Sequence, residues 1–95
     1  MSEPVVYVLV ARLPAAGVAA FAAYEDAVLP LLEAHGGTLE RRLRTADACV
    51  EVHLVSFPAP EAFAAYRDDP RRAEHAHLLE ASGATTELFA TRDVG

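Results

Sequence analysis

The stretch "CVEVHLVSF", residues 49–57, decides the fold. Strand-forming residues dominate it, and alternation splits it into two faces. Val50, Val52 and Leu54 lie on one face; Glu51, His53, Val55 and Phe57 lie on the other. Both faces are largely apolar, so the strand is expected to be covered on both sides. The run "VVYVLVAR" (5–12) has the same character. These two runs are therefore the central strands of a sheet.

Working outward, "TLERRLRT" (38–45) alternates more openly and reads as an edge strand, joined to the central one through "ADA". "LPAAG" turns the chain after the first strand. Residues 18–35 repeat apolar positions at helical spacing through Val18, Phe21, Val28, Leu31 and Leu32. Gly36 and Gly37 end that helix, and Pro30 falls inside it on the outer side, where it predicts a bend. "PAPEAFAAYRDD" starts a second helix at Pro60 and buries Phe63 and Tyr66. Asp69 caps a further helix from Pro70 through about Ala81, Gly83 stops it, and "TTELFATRDV" is the last strand. The order β-α-β-β-α-β predicts one α+β domain over 1–95: a ferredoxin-like, four-stranded antiparallel sheet with helices on one face. The uncovered face, expected to carry Val55 and Phe57, predicts a homodimer packed sheet to sheet.

The chain has 95 residues, 53% apolar and 23% charged, with a net charge of −6. That charge argues against nucleic acid and anionic membranes as partners, since both require a basic face. Cys49 is the single cysteine, so no internal disulfide forms, and a reducing cytoplasm is the expected setting. "PVVYVLVA" lacks a basic flank and a cleavage site, and reads as a strand and not a signal peptide. No apolar stretch is expected to reach the ~20 residues that span a bilayer.

"FAAYEDAVLPLLEAHGG" (21–37), "EVHLVSFPAPEAFAAYRDDPRR" (51–72) and "TELFATRDV" (86–94) together resemble the dimeric α/β-barrel superfamily. More narrowly they resemble its domain-of-unknown-function 1330 branch, where Y…PLL…GG and FP…A…Y…P recur. The resemblance covers nearly the whole chain and rests on structural motifs: a helix end, a strand-to-helix turn and a packing tyrosine. It implies the fold and the dimer. The superfamily includes cofactor-independent antibiotic-biosynthesis monooxygenases, haem-degrading enzymes, muconolactone isomerase-like proteins and small polyketide cyclases.

Glu25 and His53 are the candidate catalytic residues. Glu25 falls on the apolar arc of the first helix, beside Phe21 and Val28. A buried carboxylate either finds a cation, such as Arg12 or Arg72, or its pKa rises towards the range of a general base. Two orientations are open for His53. If the cleanly apolar set Val50, Val52 and Leu54 packs on the helices, Glu51 and His53 form a buried network at the dimer interface, with Arg41 beside them. Reversing the faces puts His53 under the helices near Glu25, as a proton-transfer couple. Tyr24, Tyr66 and His75 are the candidate ligand-binding residues, each with a simpler role in packing. His75 and His77 diverge on a helix, and no metal-ligand motif or dinucleotide fingerprint is present, so no metal or organic cofactor is expected.

Two functions follow. One is a small cofactor-independent enzyme of monooxygenase, isomerase or cyclase type, acting on a small aromatic or polyketide-like molecule. The other is a non-catalytic ligand-binding or accessory dimer. A cavity of about 300 Å³ or more beside Glu25 favours the enzyme, and a filled one favours the module.

Overall fold

The computed structural model describes residues 4–95. Strands β1 (Val5–Arg12), β2 (Thr38–Arg44), β3 (Val50–Phe57) and β4 (Thr85–Thr91) form one antiparallel sheet in the order β2-β3-β1-β4. The two strands apolar on both faces are the central ones, as their composition requires. β1 pairs with β3 through Tyr7–Val55 and Leu9–His53, and with β4 through Leu9–Leu88. The helices are α1 (Val18–Val28), α2 (Pro60–Arg67), α3 (Pro70–Ala73) and α4 (Ala76–Ser82).

Two helical segments differ from the sequence reading. The α-helical part of residues 18–35 stops at Val28, and Leu29–His35 continues as a tighter 3₁₀ turn. Pro30 supplies no N–H for the α ladder, so the helix changes type at the proline instead of bending through it. Its ring is exposed, as expected. Gly36 then closes the segment with φ 72°, a left-handed conformation that glycine adopts without strain. The helix expected from Pro70 through Ala81 is split in two around Glu74 and His75. Asp69 does cap its start: the Asp69 carboxylate accepts from the Arg71 backbone N–H at 2.9 Å and bonds His35 Nε2 at 2.8 Å. His35, on the buried side of its helix, is thereby satisfied.

The whole helical run Ala15–His35 spans 21 residues and, by length and composition, is long and apolar enough to cross a membrane. The sequence reading underrated it, because alanines supply much of its hydropathy without forming an obvious apolar block. A core helix passes the same test, and here Phe21, Tyr24, Glu25, Val28 and Leu32 are buried within the fold.

The largest correction concerns the faces of β3. Phe57 and His53 are each 1% exposed and lie under the helices, together with Glu51. The cleanly apolar set Val52 and Leu54 points the other way, with Val8, Val10 and Phe89 from the neighbouring strands in register. Glu51 and His53 find their polar partners on the helix side, and a largely apolar surface, with Arg12, Arg41 and Glu87 among it, is left on the open side. Between sheet and helices the core forms two clusters: Tyr7, Leu32, Phe57 and Tyr66 in one, and Ala11, Leu13 and Phe21 in the other. Gly17 lets the helical layer close onto itself, since a Cβ there would overlap the Ser82 carbonyl.

Candidate active site

A cavity of about 170 Å³ lies between the sheet and the helices. β1 and β3 provide its floor through Tyr7, Leu9, His53 and Val55, and α1 provides one wall through Phe21, Tyr24, Glu25 and Val28. Phe63, Tyr66, Arg67 and Arg72 close it from α2 and α3, and Leu88 of β4 lines it from the sheet edge. Most of this lining is aromatic or aliphatic, with a few polar groups among it, as in small-molecule sites.

Glu25 is 5% exposed. Its nearest basic atom is His53 Nδ1, 3.9 Å from Oε2, too long for a hydrogen bond. The partners expected for it are engaged elsewhere. Arg12 pairs with Glu87 across strands β1 and β4, and Arg72 donates to the Tyr24 hydroxyl at 3.0 Å. Burial therefore dominates and pushes the Glu25 carboxyl from 4.5 up to about 7, with the more distant Arg42 opposing.

His53 is held from the opposite side. Its Nε2 lies 2.8 Å from Glu51 Oε1. Glu51 also accepts from Arg42 Nε at 2.7 Å and Arg44 Nε at 2.9 Å. Burial pulls the Glu51 carboxyl upward, but the hydrogen bonds from Arg42, His53 and Arg44 outweigh it and hold the group down at about 2. An ionised Glu51 accepts, so Nε2 carries the imidazole proton and Nδ1 faces Glu25 unprotonated. Burial lowers the His53 pKa, against the attraction of Glu51, so the ring stays neutral at pH 7. A neutral His53 cannot neutralise Glu25, which is why the Glu25 proton is retained up to neutral pH.

Tyr66 donates to the Val28 carbonyl at 3.4 Å, and burial pushes its hydroxyl up to about 12, so it remains a neutral donor. The Arg72 guanidinium lies 4.6 Å above the Tyr66 ring. Of the residues singled out in the sequence, Tyr24, Glu25, His53 and Tyr66 are brought to one cavity. His75 is half-buried at the break before α4 and is not part of the lining. Among the described residues no cluster of His, Cys, Asp and Glu could hold a metal ion.

The arginines of the network differ from the sequence reading. Arg41 was expected beside Glu51 and His53. A register shift between Leu39 and Arg41 inserts one residue, so Arg42 pairs with His53, Arg44 pairs with Glu51, and Arg41 moves to the open face with Leu54. Nothing in "TLERRLRT" marks that bulge. The polar role of Arg72 in the cavity was equally hidden, because it depends on how α3 packs against α1.

This architecture recurs in solved structures. SnoaB from Streptomyces nogalater, a cofactor-independent oxygenase, matches with TM-score 0.75 and 22% identity, over 98% of this chain and 97% of that one. The chain shares the ferredoxin-like α+β fold of such structures. RPA0582 from Rhodopseudomonas palustris, a protein of unknown function, matches at TM-score 0.79 and 19% identity, over 100% of this chain and 85% of that one. A candidate antibiotic biosynthesis monooxygenase from Caulobacter crescentus CB15 matches at TM-score 0.76 and 11% identity, over 97% and 92% of the two chains. No family model, the domain-of-unknown-function 1330 branch included, and no curated protein matches the sequence.

Proposed function

We propose that the protein is a cofactor-independent enzyme that uses Glu25 as a general base on a small aromatic or polyketide-like molecule held in this cavity. The observation that carries the reading is a carboxyl buried among aromatic rings, without a cation against it, that titrates near neutral pH. A base is most effective when its pKa lies near the operating pH. Glu25 would take a proton from an acidic C–H or O–H, leaving an electron-rich anion. That anion can react with dioxygen, reprotonate elsewhere or close a ring, so oxygenase, isomerase and cyclase chemistry share this first step. His53, oriented by Glu51, Arg42 and Arg44, would act as a positioning residue that keeps the neighbourhood of Glu25 neutral. The likeness to SnoaB supports the reading at the level of fold.

The cavity suits a single ring. About 150 Å³ is enough to hold benzene, so about 170 Å³ accommodates one ring, with any further substituents outside. It is smaller than the ~300 Å³ of a typical ligand site, which favours the second reading, a binding module without catalysis. Hydrogen–deuterium exchange at the acidic carbon of cyclic 1,3-diketones and hydroxyarenes, with oxygen uptake measured in parallel, separates the two. The enzyme reading expects exchange or uptake that rises with pH to a plateau above about 7 and disappears in Glu25→Gln. Rates equal in wild type and Glu25→Gln across the panel would leave the module.

We also propose that two copies associate through the open sheet face. Val8, Val10, Val52, Leu54, Leu43 and Phe89 form an aliphatic and aromatic surface there, with Leu43 and Phe89 41% and 49% exposed. Contiguous apolar surface of this kind marks an interface.

A further inference from the structure

Two hydrogen-bond donors at the cavity have no acceptor among the described residues. The first is Arg72 Nε, which is buried and unpartnered. The other nitrogens of the same guanidinium are used: Nη1 donates to the Arg67 carbonyl at 3.2 Å and Nη2 donates to the Tyr24 hydroxyl at 3.0 Å. The second donor is Tyr24 itself. Its oxygen accepts from Arg72, which leaves its own hydrogen free, and the residue is 6% exposed. Both side chains line the cavity, Tyr24 from the α1 wall that also carries Glu25 and Arg72 from α3. Leaving a buried donor without an acceptor is unfavourable, so a persistent one invites an explanation. Packing holds this one in place: the guanidinium is stacked on Tyr66 and tied at both Nη atoms, so it cannot swing out to water without breaking those contacts.

We propose that Arg72 and Tyr24 form an anchor for an anionic oxygen, so the ligand is a single-ring molecule that carries a carboxylate or an enolisable carbonyl. An acceptor oxygen would take the O–H of Tyr24 and, after a small shift of the Arg72 side chain that uncovers it, the Arg72 Nε–H. A fixed cation favours a charged oxygen over a neutral one. The inference rests on the reading of Glu25 as base and extends it. When Glu25 takes a proton from the carbon next to an anchored carbonyl, the C–H bond breaks, its electron pair moves onto the carbonyl oxygen, and the anchor meets the charge formed there. Arg72 thereby sets which molecules are accepted and how they are oriented.

The probes are benzoate and benzamide, which are near in shape and differ in charge. Calorimetric titration at pH 6 of wild type, Arg72→Gln and Arg72→Lys tests the anchor. Wild type should bind benzoate about tenfold or more tightly than benzamide. Arg72→Gln should lose that preference, its benzoate affinity falling far more than its benzamide affinity, while urea unfolding like that of wild type shows that the fold survives. Arg72→Lys should keep part of the preference, having the charge without the planar fork. Equal affinity of wild type for both probes, equal loss of both in Arg72→Gln, or no binding of either at millimolar concentration would overturn the proposal. The base reading fails separately, through exchange rates unchanged in Glu25→Gln, whatever benzoate does.

Discussion

Replacing Glu25 with glutamine removes a charge and keeps the shape, so it isolates what ionisation of this group does to the fold. The folded-state pKa is raised from 4.5 to about 7. The folded protein therefore holds this proton more tightly than the unfolded chain does. The stabilising effect is complete below pH 4.5, where both states are protonated, and declines as pH rises through the interval to about 7. Above that interval the folded state carries a buried carboxylate that the unfolded chain would expose to water. At 1.36 kcal/mol for each pH unit of that interval, the penalty reaches about 3 kcal/mol. Glu25→Gln should then leave stability nearly unchanged at pH 4 and raise it by about 2–3 kcal/mol at pH 8. Urea unfolding of both proteins at the two pH values measures this. Taking the difference between variants cancels every other titrating group. Linear extrapolation suffices if the slope with urea is the same in both. A loss of stability at pH 8, of the size expected for stranding one half of a buried ion pair, about 3–5 kcal/mol, would refute the reasoning. It would mean that His53 is charged or that Arg72 turns to Glu25. A gain equal at both pH values would refute it as well, because the effect would then be packing and not ionisation.

Glu51 should behave in the opposite sense. Its pKa is depressed to about 2, so its contribution is present above 4.5 and fades as pH falls towards 2. Glu51→Gln should cost about 2 kcal/mol at pH 7 in urea melts, below the figure for a fully buried pair because Arg44 is half exposed, and the deficit should shrink by pH 3. For the open sheet face, sedimentation should show a dimer at micromolar concentration, and Leu54→Lys should shift it to monomer by about a hundredfold or more in dissociation constant while leaving the fold intact by circular dichroism. A monomeric wild type would remove the interface.

Most of the fold was legible along the chain. Two runs apolar on both faces had to be central strands, and "TLERRLRT" (38–45) with its arginines had to be an edge. Gly36 and Gly83 had to end helices, and both take left-handed φ values of 72° and 67°. The sequence also marked Glu25 and His53, since polar residues in apolar patterns stand out one at a time. These readings need only local periodicity, which is written along the chain. What the chain could not show is which of two apolar faces meets the helices. The aliphatic set Val52 and Leu54 is a good core and an equally good interface, and period-two alternation is symmetric between them. Tertiary packing decided it, through partners far apart in sequence: Glu25 from α1, and Arg42 and Arg44 aligned by a bulge after Leu39. Whether a buried carboxylate is neutral or paired is likewise a matter of distances of a few ångström, because Coulomb energies and desolvation change steeply on that scale. Arg72 shows the same limit. In sequence it was a possible partner for Glu25, and only the packing of α3 against α1 turned it to Tyr24 and left its Nε without an acceptor.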